Sequence, residues 1–259
     1  LKGSDLTGQD AILIAGKVSD KDAKSVILDG SIFNRSQGGD TTIKGAVGVI
    51  DGSAGGSIHN YTAATTPSGA ATSGDSGKIN ILATDSNGAN STASFTTDNS
   101  GVTITQDSNQ GIEISSDGQG NIVVPKIINN GTGDVVIAAG KLLDAGDGTG
   151  GQVLTVSGNS ISQANPQAPG KTYLYSGNVT DTGLLSNVSS TFNNGLFLST
   201  IGGDTKNTAS NTAYTSNNLR NTITNGANTQ VIFREKIALS GSLNDATVTY
   251  GDSTSSASV

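Results

Sequence analysis

The chain has 259 residues, of which 36 are glycine, 4 are proline, 4% are aromatic and 14% are charged. Its net charge of −7 and isoelectric point near 4.5 argue against a nucleic-acid partner, because binding phosphates requires a basic surface. The absence of cysteine excludes disulfides, thiolate metal sites and a cysteine nucleophile. No run reaches the roughly 18 apolar residues of a membrane span, so we expect no membrane insertion. The chain also lacks methionine, and we expect a piece of a longer protein.

Short strand-like segments recur from the first residues onwards. Most alternate apolar with polar residues, the period of a half-buried strand, and most end in Gly, Asn, Asp or Ser. The clearest are AILIAG (11–16), SVILDG (25–30), TTIKGAVGVIDG (41–52), GSIHNY (56–61), GKINILA (77–83), GVTITQ (101–106), GIEISSD (111–117), NIVV (121–124), DVVIAAG (134–140) and QVLTVSG (152–158). The pattern predicts an all-β chain.

Within the all-β class, the short strands and corner residues favour a β-solenoid over an antiparallel sandwich or barrel. In a solenoid each strand stacks on its equivalent one turn of the chain away, and corners need residues that tolerate positive φ, as Gly, Asn and Asp do. A narrow interior suits Val, Ile, Leu and Ala better than aromatic side chains. We assign the solenoid to residues 1–164.

The composition and the residue pattern of the sequence change after about residue 165. Residues 165–241 contain NPQAPG (165–170) and much of the aromatic content, and a short helix is predicted near 211–223. We expect this region to cap the solenoid, with Tyr173, Tyr175 and Phe233 covering its end. Residues 242–259 are assigned to the start of a following β-domain or a linker.

The segment GDGTGG (146–151) could bind a phosphate, bind a metal ion or turn the chain. A phosphate loop needs a lysine and a following helix, and both are missing from the pattern. Asp144 and Asp147 are weak calcium candidates, because calcium needs six to eight oxygen ligands. The favoured interpretation is a structural corner, with no cofactor, formed by Gly146, Gly148, Gly150 and Gly151.

No convincing catalytic site emerges from the sequence, and we expect a non-catalytic protein. His59 is the only histidine, and we expect it to be a solvated residue at a strand end. We interpret the carboxylate pairs Asp20–Asp22 and Asp144–Asp147 as corner residues. The alternative is a carbohydrate-active β-helix, in which such a pair would be catalytic. In the segment VIFREKIAL, Arg234 and Glu235 are expected to protect an edge strand by their charge.

Five phrases occur in an order that resembles a known family. They are GTGDVVIAAG (131–140), GTGGQVLTVSGN (148–159), KTYLYSGN (171–178), TGLLSNVSSTF (182–192) and TQVIFREKIALSGSLNDATVTYGD (229–252). This order resembles the large exoproteins of the filamentous-haemagglutinin type, which are bacterial adhesins exported by two-partner secretion. The resemblance implies a right-handed parallel β-helix without catalytic residues, secreted to the bacterial cell surface and acting in adhesion, aggregation or biofilm.

The resemblance also implies partners and a modification. The parent chain would use an outer-membrane partner transporter, and its receptor would be a carbohydrate or protein of a host cell or matrix. Self-association into a matrix or filament is an alternative role. Glycosylation at Asn-x-Ser/Thr sequons is a further expectation, and the candidates are Asn34, Asn60, Asn90, Asn130, Asn178 and Asn187.

Overall fold

A computed structural model describes residues 4–6, 12–15, 26–27, 30–45, 47–48, 56–66, 75–85, 87–96, 101–144, 148–156, 159–178, 192–193, 208–209 and 229–234. Within these residues the chain forms 19 strands and one three-residue 3-10 helix, Gly88–Asn90. Every pair of strands in them is parallel. No helix in this part of the chain is long and apolar enough to cross a membrane. The prediction of an all-β chain of parallel strands is confirmed.

Two long sheets contain most of the strands. Sheet A has the order β1-β4-β7-β9-β12-β15-β17, and sheet B has the order β18-β19-β16-β13-β10-β8-β5-β2. The strands of sheet A are β1 (Ser4–Leu6), β4 (Ser31–Asn34), β7 (Ser57–Asn60), β9 (Thr103–Gln106), β12 (Lys126–Asn129), β15 (Ile161–Gln163) and β17 (Phe192–Asn193). Those of sheet B are β2 (Ile12–Ala15), β5 (Thr41–Gly45), β8 (Ile79–Ala83), β10 (Ile112–Ser116), β13 (Val135–Ala138), β16 (Thr172–Ser176), β18 (Thr208–Ala209) and β19 (Thr229–Phe233).

The remaining strands form two small parallel pairs. They are β3 (Val26–Ile27) with β6 (Val47–Gly48), and β11 (Ile122–Val123) with β14 (Val153–Leu154). Phe95 adds an isolated parallel bridge to Ile122. From β1 to β17 the chain therefore visits sheet A and then sheet B in strict alternation, often with a short third strand before it returns to sheet A.

The core lies between the sheets and consists of aligned aliphatic side chains. In sheet A, Ile32, Ile58, Ile104, Ile127 and Ile161 occupy equivalent positions in successive strands, and all are buried. Sheet B supplies a matching row, which is Ile43, Ile81, Ile114, Ile137, Leu174 and Val231. Each fully buried side chain of this kind contributes about 1.5–3 kcal/mol. A strand slipped by one residue would turn its row toward solvent, so these rows fix the register.

Sheet B continues past residue 164, where the sequence suggested that the solenoid ends. Strand β16 pairs with β13, and β19 pairs with β16 over five residues. Strand β18 then pairs with β19, although β18 precedes it in the chain. Residues 229–233 therefore lie inside the sheet and contribute to its core. The predicted helix near 211–223 lies outside the described residues.

Candidate functional site

The glycine corner, residues 148–151, is a turn stacked between two other turns. The backbone N–H of Gly151 donates to the Gln119 carbonyl at 2.8 Å, and the Gly151 carbonyl accepts from the N–H of Gly177 at 3.0 Å. Gly150 and Gly151 have φ values of 66° and 56°, a left-handed conformation that glycine adopts without a steric penalty. Gly148 joins the corner by accepting a bond from the Gln152 amide at 3.1 Å. The residues thus build a corner between strands β13 and β14.

The calcium candidates are not brought together in the part of the chain that the structure describes. Asp144 is exposed, while Asp147 and Gly146 lie outside the described residues. Among those residues, no group of three or more His, Asp or Glu is placed to hold a metal ion. The described corner offers backbone carbonyls, and two side chains of this chain, Gln152 and Arg234, already bind them.

The second of these side chains is Arg234, which the sequence placed wrongly on an exposed edge strand. Arg234 is only 2% exposed, and strand β19 before it is paired on both sides. The guanidinium donates to the Gly150 carbonyl at 2.9 Å and, over a short distance, to the carbonyl of Ala139. The planar guanidinium carries several N–H donors in fixed directions, so it can bind carbonyls from two different corners at the same time. Glu235 lies outside the described residues.

Glycine makes room for this arginine. A Cβ atom built on Gly140 would lie 2.5 Å from the Nη1 atom of Arg234, and one on Gly151 would lie 3.0 Å from Nη2. Gly140 also has a φ of 72°. The guanidinium thus fills space that two glycines leave open, and it ties residue 234 to corners 84 and 95 positions earlier.

Tyr173 and Tyr175 belong to strand β16 and point away from the main core. They form a second buried cluster with Val136, Ala138 and Ile232 on the other face of sheet B. Phe233, by contrast, lies in the main core with Phe95, so the expectation that the interior excludes aromatic side chains is wrong at these two positions.

A row of amide side chains, the amide row, lies at the buried ends of the sheet A strands. It consists of Asn34, Asn60, Gln106, Asn129 and Gln163, which occupy equivalent register positions. Each donates to a backbone carbonyl of the turn that leads into sheet B; those carbonyls belong to Gly39, Gly77, Gly111, Gly133 and Lys171. Buried carbonyls need such partners, because leaving one unpaired costs about 1–3 kcal/mol. The amide row therefore fixes the turns between the two sheets.

Neighbouring rungs of the amide row are also linked by side chains. The Thr41 hydroxyl donates to Asn60 at 2.7 Å and accepts from Asn34 at 3.0 Å, and Asn129 donates to Gln163 at 2.7 Å. Stacked amide ladders of this kind stabilise parallel in-register strands. The polar row thus reinforces the register that the isoleucine rows set.

Two of the glycosylation candidates belong to this row. Asn34 and Asn60 are 0% exposed, so the folded chain gives no enzyme access to their side chains. Asn90 and Asn130 are exposed, and Asn178 is half-buried. Asn187 lies outside the described residues. Burial therefore removes the first two sequons from consideration, and the local sequence alone cannot show this.

The outer face of sheet A carries a cluster around His59, which is not the solvated strand-end residue that we expected. The His59 ring stacks on Tyr61 with centroids 3.7 Å apart, and its Nε2 atom lies 2.7 Å from Oδ2 of Asp107. Burial raises the pKa of Asp107, but hydrogen bonds from His59, Asn130 and Thr65 outweigh it and hold the pKa below its ordinary value. The pair ties β7 to the turn after β9.

The outer face of sheet B carries a groove with a volume of about 270 Å³, the lysine groove. It is lined by Thr42, Lys44, Asn80, Ile81, Leu82, Glu113, Ser115 and Lys141. The Glu113 carboxylate accepts from Lys78 at 2.9 Å through one oxygen and from Lys141 at 2.8 Å through the other. Burial raises the pKa of Glu113, but the bonds from Lys141 and Lys78 prevail and lower it to about 2.

The sequence carries a signal for the amide row that is visible only after alignment. Four-residue segments with isoleucine second and Asn or Gln last recur as SIFN (31–34), SIHN (57–60), TITQ (103–106), KIIN (126–129) and SISQ (160–163). Their irregular spacing hides the repeat. The lysine groove has no comparable signal, because its side chains come from separate strands.

No protein-family model, no curated protein and no solved structure matches the chain.

Proposed function

We propose that the chain is a right-handed parallel β-helix. Strict alternation between sheets A and B, with parallel pairing within each, is the pattern of a chain that winds once around a core for each pair of strands. About 98% of the connections between parallel strands of one sheet are right-handed, which supports the right-handed winding. The amide row adds a contact that repeats with each winding.

We further propose that the chain is a structural segment of a secreted bacterial surface adhesin, and that its parent uses an outer-membrane partner transporter. The observation that carries this proposal is the uninterrupted parallel stack, locked by register-aligned isoleucines and by the amide row. Such a stack resists bending and extension, since each winding pairs its backbone with the next. The resemblance of residues 131–252 to filamentous-haemagglutinin-type exoproteins supports the same role.

The chemistry of the lysine groove favours a non-catalytic role. Glu113 is the one carboxylate among the residues that line this groove. A pKa of about 2 keeps it ionised at neutral pH, so it does not suit proton donation. Both of its oxygens are bound by lysines, which suits a structural ion pair.

Surface labelling tests the adhesin proposal. Antibodies raised against the purified chain should label intact cells of the source organism, and deletion of the segment should reduce cell aggregation or attachment. Labelling that appears only after lysis would contradict the proposal. Electron microscopy of the purified chain separates the alternatives, because a shaft segment gives single short rods whereas a filament subunit gives fibres.

A further inference from the structure

The lysine groove has a charge opposite to that of the chain as a whole. Lys44 and Lys141 line it, and Lys78 binds Glu113 from the side. Three lysines and one glutamate leave a local charge of +2 on a chain whose net charge is −7. A local field of this kind concentrates anions at the groove even though the whole molecule is acidic.

Lys44 is the cation of the groove that remains available. It is exposed on strand β5, and it has no ion-pair partner among the described residues. Lys78 and Lys141 differ, because each donates to one oxygen of Glu113.

The rest of the groove suits a sugar. Thr42, Asn80 and Ser115 supply hydroxyl and amide groups, and Leu82 adds an apolar surface. The lining extends from β5 through β8 and β10 to Lys141 after β13, which is three strand spacings or about 14 Å. A length of this size accommodates several units of an extended polymer that crosses the strands.

We propose that the lysine groove binds an acidic polysaccharide, with Lys44 contacting its anionic groups. Duplex DNA is a poorer fit, because its charge of one per about 1.7 Å would meet the acidic remainder of this chain. A polysaccharide carries fewer charges per unit length, and its hydroxyls match the uncharged donors of the groove. The anionic groups can be carboxylates or sulfates, since an ammonium group binds either.

Affinity electrophoresis and calorimetry at low ionic strength test this proposal with two probes, polygalacturonate and dextran sulfate. The purified chain should bind at least one of them, and the probe bound identifies the anionic group. It should not bind neutral dextran, and added salt should weaken binding. Binding to neither probe, or equal binding to dextran, would overturn the proposal.

Two charge reversals locate the site. Lys44→Glu should weaken binding by about tenfold, whereas Lys126→Glu, at an exposed lysine that starts β12 in sheet A, should change it by about twofold at most. Both variants change the net charge equally, and Lys44 has no described ion pair to lose. Equal loss in both would show general charge attraction and overturn the assignment to the groove. Depolymerisation of a bound probe would contradict the non-catalytic role while leaving the binding site intact.

Discussion

The amide row and the Arg234 site are both buried and polar, but one repeats along the stack and the other occurs at a single place. In the amide row, each carbonyl lies in the turn that directly follows the strand whose amide binds it or a neighbouring strand. Arg234 instead binds carbonyls 84 and 95 residues away. In the amide row, each of five strands contributes one amide, and two of these amides share the Gly77 carbonyl. At the Arg234 site, one side chain donates to both carbonyls. Loss of one rung should therefore be tolerated better than loss of the arginine.

The largest expected effect comes from removing the guanidinium. Arg234→Met should lower the free energy of unfolding by about 3 kcal/mol, because the buried Ala139 carbonyl loses its donor and the Gly150 carbonyl keeps only the longer bond from Gln152 at 3.3 Å. Arg234→Lys keeps the charge but only part of the fork, so its loss should be intermediate. Urea unfolding measures both. A loss below about 1 kcal/mol in the methionine variant would show that Arg234 contributes little to holding the two corners in place.

The next effect tests whether glycine is needed to seat the arginine. Gly140→Ala should cost about 2–3 kcal/mol, since it adds a collision with Arg234 to the strain of a positive φ. Gly38 is the matched control: its φ is 68°, but nothing lies within 4 Å of its added Cβ, so Gly38→Ala should cost about 1 kcal/mol. In an Arg234→Met background the two alanine variants should become equal. If they still differ there, another contact is responsible.

A single rung of the amide row should matter less. Asn60→Ala removes the acceptor for Thr41 and a donor to the Gly77 carbonyl, but Gln106 also donates to that carbonyl at 3.0 Å. The shared carbonyl limits the loss to about 1–2 kcal/mol by thermal or urea unfolding. Asn130→Ala, at an exposed asparagine, should stay within about 0.5 kcal/mol. A loss as large as that of Arg234→Met would remove the distinction between the two regions.

The smallest effect is a pH dependence from Glu113. Its pKa falls from 4.5 to about 2 on folding, so the stabilisation is complete above pH 4.5 and disappears as the pH drops toward 2. Because its lysine partners are partly exposed and screened, we expect about 1 kcal/mol. Unfolding curves between these pH values should show a smaller change in Glu113→Gln than in the unaltered chain. Identical pH profiles would show that the ion pairs add no stability.

Features that repeat locally can be predicted from the sequence, whereas features that depend on contacts between distant residues cannot. Alternating segments such as SIFN (31–34) and GIEISSD (111–117) indicated strands, and Gly150 and Gly151 indicated a corner. Arg234 looked like an exposed charge, because its two acceptors follow strands far away in the chain. Asn34 and Asn60 looked like sequons, because the register that buries them is visible only once the strands are aligned.

The lysine groove could not be predicted from the sequence for the same reason. Lys44, Glu113 and Lys141 lie in three separated segments, and only the parallel register of β5, β8, β10 and β13 brings them to one face. No local motif encodes this arrangement. The groove exists only because the parallel strands stack and bring these charged side chains to one face.

Sheet A is a continuous parallel stack, and a distance measured across its strands tests this most directly. The chain has no cysteine, so Ser31→Cys and Ser162→Cys allow two spin labels to be attached specifically. These positions lie four strands apart, because β4, β7, β9, β12 and β15 are successive neighbours, which corresponds to about 20 Å. Pulsed electron paramagnetic resonance should give one narrow distribution near that value, shifted only by the label linkers. A broad distribution, or one centred far beyond it, would contradict the stack.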